Sequence, residues 1–270
     1  MDIEGRAVVV TGGASGIGRA LCEAFAGSGA RGVVVADLDG AGAEAVAGRL
    51  AAEGCPAVAH QLDVASEAEV AGLVRLAESI YGPVDVFCAN AGIFVAGGVE
   101  VPDDAWERIW AVNVQSHVYA ARAVLPGMLA RGEGYLVHTA SAAGLLTQLG
   151  SAPYSVTKHA VVALAEWLSI TYGDAGVRVS CLCPQGVWTA MTGVGDEDGP
   201  GRPLSATAGR DGMLDPEAVA AAVLAAMAAE SFLVLPHPEV SLYEQRRAGD
   251  RERWLRGMRR VQSELGSPSL

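Results

Sequence analysis

Lysine is almost absent from this chain. Among 270 residues it occurs once, at Lys158, against eighteen arginines. The composition is otherwise rich in Ala, Gly, Val and Arg, as GC-rich codons produce, and under that bias lysine drifts to arginine wherever a fixed positive charge suffices. A surviving lysine marks a position where a wide, permanently charged guanidinium fails and a compact ammonium of tunable pKa is needed. Positive charge is scarce overall. The net charge is −12, with acidic residues spread along the chain, which argues against general affinity for nucleic acid. No apolar run approaches the length of a membrane span, so no membrane association is expected. Cysteine is sparse: Cys22, Cys55, Cys88, Cys181 and Cys183 are odd in number and lack framework spacing. Buried thiols in a reduced, cytoplasmic protein are expected. Cys181 and Cys183 share a face of one strand, but two thiols without a second pair are a weak zinc signal, and no metal is expected. The opening MDIEGRAVVV is acidic and passes directly into a strand-like run, unlike a secretory leader. No repeat or interdomain linker is visible.

What is present is a regular alternation. Half of the residues are hydrophobic, enough for a substantial core. Short apolar runs at 6–12, 32–37, 57–64, 84–92, 134–141, 177–184 and 231–236 read as strands. Segments of helical period lie between them, at 16–28, 40–53, 66–81, 103–130, 153–173 and 215–229. Continuously apolar strands imply burial on both faces, hence a parallel sheet covered by helices. Strict alternation then predicts an α/β, doubly wound Rossmann-type fold of about seven strands in a single domain over 1–240. Two stretches break the pattern. Residues 190–214 are rich in Gly, Asp and Pro without periodicity, and are expected to form a mobile substrate loop. Residues 241–270 form a C-terminal helical extension that carries seven arginines between Arg246 and Arg260.

The first strand runs into TGGASGIG, residues 11–18. Gly12, Gly16 and Gly18 allow a sharp turn and a close backbone approach to a pyrophosphate at the N-terminus of the next helix. Asp37 closes the second strand. A carboxylate there accepts hydrogen bonds from an adenosine ribose and repels a 2′-phosphate. With Asp39 nearby and no basic residue within 11–18 or just after Asp37, NAD is favoured over NADP. Tyr154 and Lys158 stand four apart on a predicted helix, so they share a face. A nearby ammonium stabilises a phenolate and draws its pKa down toward the working range. Ser141 ends a strand, at the carboxyl edge of the sheet where ligands bind. Asn113 lies inside a helical run despite its poor helix propensity. His117, His138 and His159 show no partner pattern and are read as structural.

TGGASGIG, the NAG at 90–92, Asn113, Ser141 and YSVTK at 154–158 occur in an order and spacing that resembles the short-chain dehydrogenases/reductases, over roughly residues 5 to 240. The resemblance implies a catalytic set of Asn113, Ser141, Tyr154 and Lys158, with Asn113 supporting a water-linked proton relay from Lys158. It implies an NAD site that adds Ser15, Ile17, Leu38, Asp63, Val64, Asn90, Ala91, Gly92, Pro184, Val187 and Thr189 to the glycines and Asp37. Asp63 and Val64 would flank the adenine, and Thr189 would reach the nicotinamide. The family usually has Pro-Gly after the sixth strand, where this chain has Pro184-Gln185-Gly186; the glycine role is expected to move to Gly186. Substrate contacts are expected from Ser141, Leu145, Gln148, Tyr154, Gln185, Trp188 and Met191, with Phe94 and Leu146 as further candidates. Most of these are apolar, so a hydrophobic secondary alcohol or its ketone is the expected substrate. The resemblance also implies a homo-oligomer, dimer or tetramer, with Ala120, Ala121 and Ala123 of the 103–130 segment offering close helix approach. Two rival readings are a sugar-nucleotide epimerase or dehydratase, which also uses Tyr-x-x-x-Lys, and a catalytically silent NAD-sensing protein.

Overall fold

The computed structural model describes residues 1–192 and 211–265. Most of the expected 190–214 loop, residues 193–210, lies outside the described residues, as does the end of the tail at 266–270. Seven strands form one parallel sheet: β1 (Ala7–Thr11), β2 (Gly32–Asp37), β3 (Ala57–Gln61), β4 (Val86–Ala89), β5 (Gly134–Thr139), β6 (Val177–Leu182) and β7 (Leu233–Val234). Their spatial order is 3-2-1-4-5-6-7. Succession reverses between β1 and β4, which opens a crevice at their carboxyl ends.

Buried valines explain the sheet. Val8, Val9 and Val10 of β1 are fully buried, yet they point alternately to two separate cores. Val9 packs beneath α3 (Glu67–Tyr81), α5 (Ser116–Arg131) and α7 (Ala152–Tyr172). Val8 and Val10 pack beneath α1 (Gly16–Gly27), α2 (Gly40–Ala52) and α8 (Pro216–Ala228). A strand coated by helices on both faces has no polar side to show, hence the unbroken apolar runs.

The 103–130 segment is not one helix. α4 (Asp103–Trp110) passes through a π-helical turn, Ala111–Gln115, into α5, and Asn113 sits in that turn. A π-turn widens the backbone ladder locally and is found chiefly at functional sites. Ala120 and Ala121 are buried in the core beneath α5. They are therefore not available for the close approach of a second chain, contrary to expectation. Ala123 is half-buried, and large exposed apolar groups lie at Trp110 and Leu129 of this segment and, on α7, at Val156, Trp167 and Ile170. Beyond β5, a short α6 (Ala143–Leu146) precedes α7. After β7 the tail forms α9 (Glu239–Gly249) and α10 (Arg251–Leu265), broken at Asp250.

Candidate active site

The glycine turn is built by contacts that only glycine permits. Gly12 has φ +68°, and a Cβ on it would lie 2.9 Å from the Ala91 Cα. A Cβ on Gly18 would stand 1.9 Å from the Gly12 carbonyl oxygen. The turn thus closes onto both α1 and the segment after β4. Ser15 precedes α1 without a side-chain capping bond, so the first-turn N–H groups of α1 face the crevice with partners still to be filled. Asp37 holds the turn from the side: its Oδ2 accepts from Ala14 N–H at 2.9 Å and its Oδ1 from Asp39 N–H at 3.0 Å. Capping of α2 falls to Asp39, which accepts from Gly42 N–H. A carboxylate oxygen has two lone pairs, so Asp37 can still accept from a ribose. A cleft of about 400 Å³ runs past Gly12, Ser15, Gly16, Ile17, Gly18, Asp37 and Leu38. It continues along Asp63, Val64, Asn90, Ala91 and Gly92 to Pro184, Val187 and Thr189. The open helix end, the glycine cradle and the ribose-directed carboxylate fit a dinucleotide. Arg108 of α4 lines the same cleft, and its Nη1 donates to Asp63 Oδ2 at 2.9 Å. It is a basic residue the sequence reading missed, since it lies far from the glycine turn in the chain, and Asp63 neutralises it.

A buried hydrogen-bond chain joins this cleft to the reactive side. Asn90 donates from Nδ2 to the Thr11 carbonyl and accepts at Oδ1 from the Thr139 hydroxyl, both at 3.0 Å. The Thr139 carbonyl accepts from Lys158 Nζ at 2.9 Å. Thr11 opens the TGGASGIG motif without a role assigned to it there, and Thr139 lies in no motif, so the sequence did not single out this link. Asn113 clamps Ile93 by two bonds, Ile93 N–H to Oδ1 at 2.8 Å and Nδ2 to the Ile93 carbonyl at 3.0 Å. Gly92 lies between Asn113 and Lys158: a Cβ there would come within 3.3 Å of Asn113 Oδ1 and 3.5 Å of Lys158 Nζ.

Tyr154 and Lys158 come from the first turns of α7, whose start is capped by Ser151. Burial raises the Tyr154 phenol above its ordinary 10, and a hydrogen bond with Ser141 draws it back. Burial also lowers the Lys158 ammonium from 10.5 to about 8. Lys158 Nζ stands over the face of the Tyr154 ring, 5.6 Å from its centroid, and spends a donor on Thr139. In the free protein desolvation is the leading influence on the phenol. Phe94 packs against the Tyr154 ring at 5.3 Å.

Behind Lys158 lie His117 and His138, stacked and fully buried, with their Nδ1 atoms 2.9 Å apart. That distance requires one donor and one acceptor, so the accepting ring is neutral. Burial holds His138 at about 4 and His117 well below its ordinary value, with the Lys158 charge adding to the latter.

Ser141 is buried at the junction of two cavities. The second, of about 870 Å³, runs from Ser141, Gln148 and Gln185 to the tail helices. Leu146 lines it, while Met191 and Phe94 line the cofactor cleft. Leu145 lines neither cavity, being buried in the core, and Trp188 is likewise in neither lining. Neither Gln185 nor Gly186 has positive φ, so the turn after β6 makes no left-handed demand and the glycine role is not transferred. The Ser141 hydroxyl donates to the Pro184 carbonyl at 3.4 Å, and Gln185 N–H donates to Nδ1 of buried His237 at 3.3 Å. His237 was also missed, because its partner is a backbone group. Thr147, on the cavity wall, has φ +70°, a strained state for a β-branched residue.

Comparison with known proteins gives the family. A family model described as short chain dehydrogenase matches residues 6–198. A 1-deoxy-11-beta-hydroxypentalenate dehydrogenase of Streptomyces exfoliatus is 37% identical over 246 residues, covering 90% of this chain and 86% of that protein. The 3beta-hydroxysteroid dehydrogenase 2 of Eggerthella lenta is 34% identical, covering 82% of this chain and 86% of its own. A crystal structure of a short chain dehydrogenase/reductase from Burkholderia phymatum in complex with NAD superposes with a TM-score of 0.84 at 32% identity, covering 93% of this chain and 96% of that one. With the family model matching residues 6–198 and the fold shared over most of its length, the chain belongs to the short chain dehydrogenase family, oxidoreductases that move hydride between a CH–OH group and a nicotinamide cofactor.

Proposed function

We propose that this protein oxidises an apolar secondary alcohol to its ketone with NAD, using Tyr154 as proton acceptor. The observation that carries the reading is the meeting of Ser141, Tyr154 and Lys158 where the dinucleotide-sized cleft opens into the larger, largely apolar cavity. Bound in the cleft, NAD supplies the hydride acceptor. Asp37 and the glycine turn select and seat it, and the carboxylates of Asp37 and Asp39 disfavour a 2′-phosphate. Ser141 orients the substrate oxygen toward the phenol. Tyr154 takes the hydroxyl proton, a contribution of roughly 10²–10⁴ in rate for a positioned general base. Lys158 supplies positive charge beside the phenolate, and its compact head fits between Gly92 and Thr139, where a guanidinium would collide. Asn113 holds the Ile93 backbone and, with Lys158, borders the route by which the proton leaves.

The hydroxysteroid and hydroxypentalenate dehydrogenases among the relatives support a bulky, apolar alcohol, as does the cavity volume. Five free, buried cysteines support a reducing compartment, the cytoplasm. Among the described residues no helix is long and apolar enough to cross a membrane. Val156, Trp167 and Ile170 on α7 support a homo-oligomer, dimer or tetramer. The test is NADH formation across a panel of secondary alcohols. Oxidation of bulky apolar members with NAD, and poor use of NADP, is the expected result. No turnover of any alcohol or ketone with either cofactor would reject the reading.

A further inference from the structure

We propose that the inner face of α10 sets the breadth of the substrate, with Gly257 as the position that keeps the cavity open, so that the preferred alcohol carries a broad, ring-fused apolar body. The proposal deepens the reading of the site as an alcohol dehydrogenase and rests on it.

α10 carries one apolar stripe. Trp254, Gly257, Met258 and Val261 fall at i, i+3, i+4 and i+7, one face of a helix. All four line the cavity of about 870 Å³ that begins at Ser141. A surface helix ordinarily buries such a stripe against a core. Here none of residues 251–264 is fully buried, and these four are half-buried. Among the described elements α10 leans chiefly on α9, so the stripe faces the cavity. The cavity is continuous with the reactive end, because Ser141, Gln148 and Gln185 line it and the cofactor cleft alike. That continuity commits the stripe to the substrate.

The wall is held in place. α9 is anchored by fully buried Val240. The Tyr243 hydroxyl donates to Asp211 at 2.9 Å, and its ring packs against Trp254, with centroids 6.5 Å apart. Asp250 accepts from the Arg253 backbone N–H at 2.9 Å, which caps the start of α10.

Gly257 is the residue the fold does not ask for. Glycine inside a helix weakens it relative to alanine, and it ordinarily answers a positive φ or a close approach. Gly257 has no positive φ. A Cβ on it would meet nothing nearer than the Arg260 guanidinium, at 3.9 Å. What a side chain would occupy is the cavity. Beside Ser141 the lining is equally small, through Ala142 and Ala143. Small residues at both ends leave breadth as well as length, in a volume near the upper end for sites of drug-sized ligands.

The test reads kcat/KM with NAD for 2-butanol, cyclohexanol, 2-decalol and a saturated three-ring secondary alcohol. Wild type is compared with Gly257→Ala, Gly257→Leu and Gly257→Phe. In wild type kcat/KM should rise along the series. The ratio of the three-ring alcohol to 2-butanol should fall stepwise with side-chain size. At Gly257→Leu the fall should be at least tenfold and mainly through KM, the scale on which a few carbons matter in an apolar pocket. Because the ratio is read within each variant, a general loss of folded enzyme cancels. Gly257→Ala should keep or raise the urea midpoint; a lower midpoint would show that the fold needs the glycine and would overturn the proposal. A wild-type ratio of one or less, or a ratio indifferent to residue 257, overturns it too. So does a Gly257→Phe variant whose particle mass changes by light scattering with its ratio intact, which would give the stripe to a second copy of the chain. Turnover of 2-butanol with a wild-type ratio of one or less removes the wall and leaves the dehydrogenase reading standing. No turnover of any alcohol or ketone with either cofactor sinks that reading, and the proposal with it.

Discussion

Replacing Lys158 by methionine should make the protein more stable while removing its activity. Lys158 is 3% exposed, and burial lowers its pKa from 10.5 to about 8. At 1.36 kcal/mol per pH unit, holding that ammonium charged in the fold costs about 3 kcal/mol at neutral pH. Methionine keeps the length of the side chain and removes the charge. It also leaves the Thr139 carbonyl without the donor it has at 2.9 Å, a loss of about 1–3 kcal/mol. The net gain is about 0–2 kcal/mol, or up to roughly 8 °C in Tm for a chain of this size. The sign with pH follows from proton counts. Between about pH 8 and 10.5 the unfolded chain holds a proton at this site that the folded chain has released, so wild-type stability rises with pH across that window. Below pH 8 the cost is present in full; above 10.5 it is gone. Urea midpoints for wild type and Lys158→Met at pH 7.5, 9 and 10.5, at one protein concentration, should favour the variant at pH 7.5 and shift toward wild type as pH rises, because the neutral amine keeps its bond to Thr139. Groups common to both proteins cancel in the difference. A variant less stable than wild type at pH 7.5, or a gap independent of pH, would refute the reasoning.

Asp37→Ala should weaken NAD and admit NADP, moving the ratio of kcat/KM for the two cofactors by at least tenfold toward NADP, about 1.4 kcal/mol; an unchanged ratio would remove Asp37 from cofactor choice. Because burial holds the Tyr154 phenol above 10 in the free protein, kcat/KM for alcohol oxidation should climb with pH through the alkaline range while ketone reduction falls, as a paired pH profile would show. Gly18→Ala should abolish NAD binding in a fluorescence titration, since the new Cβ would overlap the Gly12 carbonyl. Thr147→Gly, which relieves φ +70°, should stabilise the fold by about 1 kcal/mol in urea titration. Light scattering should give a dimer or tetramer for wild type, and Trp167→Glu on exposed α7 should reduce it.

Much of this was legible because the determinants are local. Strands buried on both faces must be continuously apolar, so runs such as AVVVT and GVVVAD declare themselves. The glycine turn and the Tyr–Lys pair depend on spacing within a few residues. Other features depend on partners distant in the chain. The break of the 103–130 helix at Ala111–Gln115 follows no proline or glycine; it is paid for by Asn113 clamping Ile93. Leu145 and Leu146 are the same residue type on successive positions, yet one faces the core and the other the cavity. The partner of Lys158 was hidden for a related reason: helix spacing brings Lys158 beside the Tyr154 ring, whereas its ammonium donates to Thr139 on a strand. Asp37 and Asp39 divided two roles, bracing the turn and capping α2, that spacing alone could not separate.

The central claim is that Tyr154 moves the proton in NAD-dependent alcohol oxidation. Tyr154→Phe keeps the ring against Phe94 and removes only the hydroxyl. The direct measurement pairs a calorimetric titration of NAD with the initial rate of NADH formation on the best alcohol of the panel. NAD affinity should stay within about twofold of wild type while kcat falls by roughly 10²–10⁴. A variant that still oxidises the alcohol within tenfold of the wild-type rate would contradict the account.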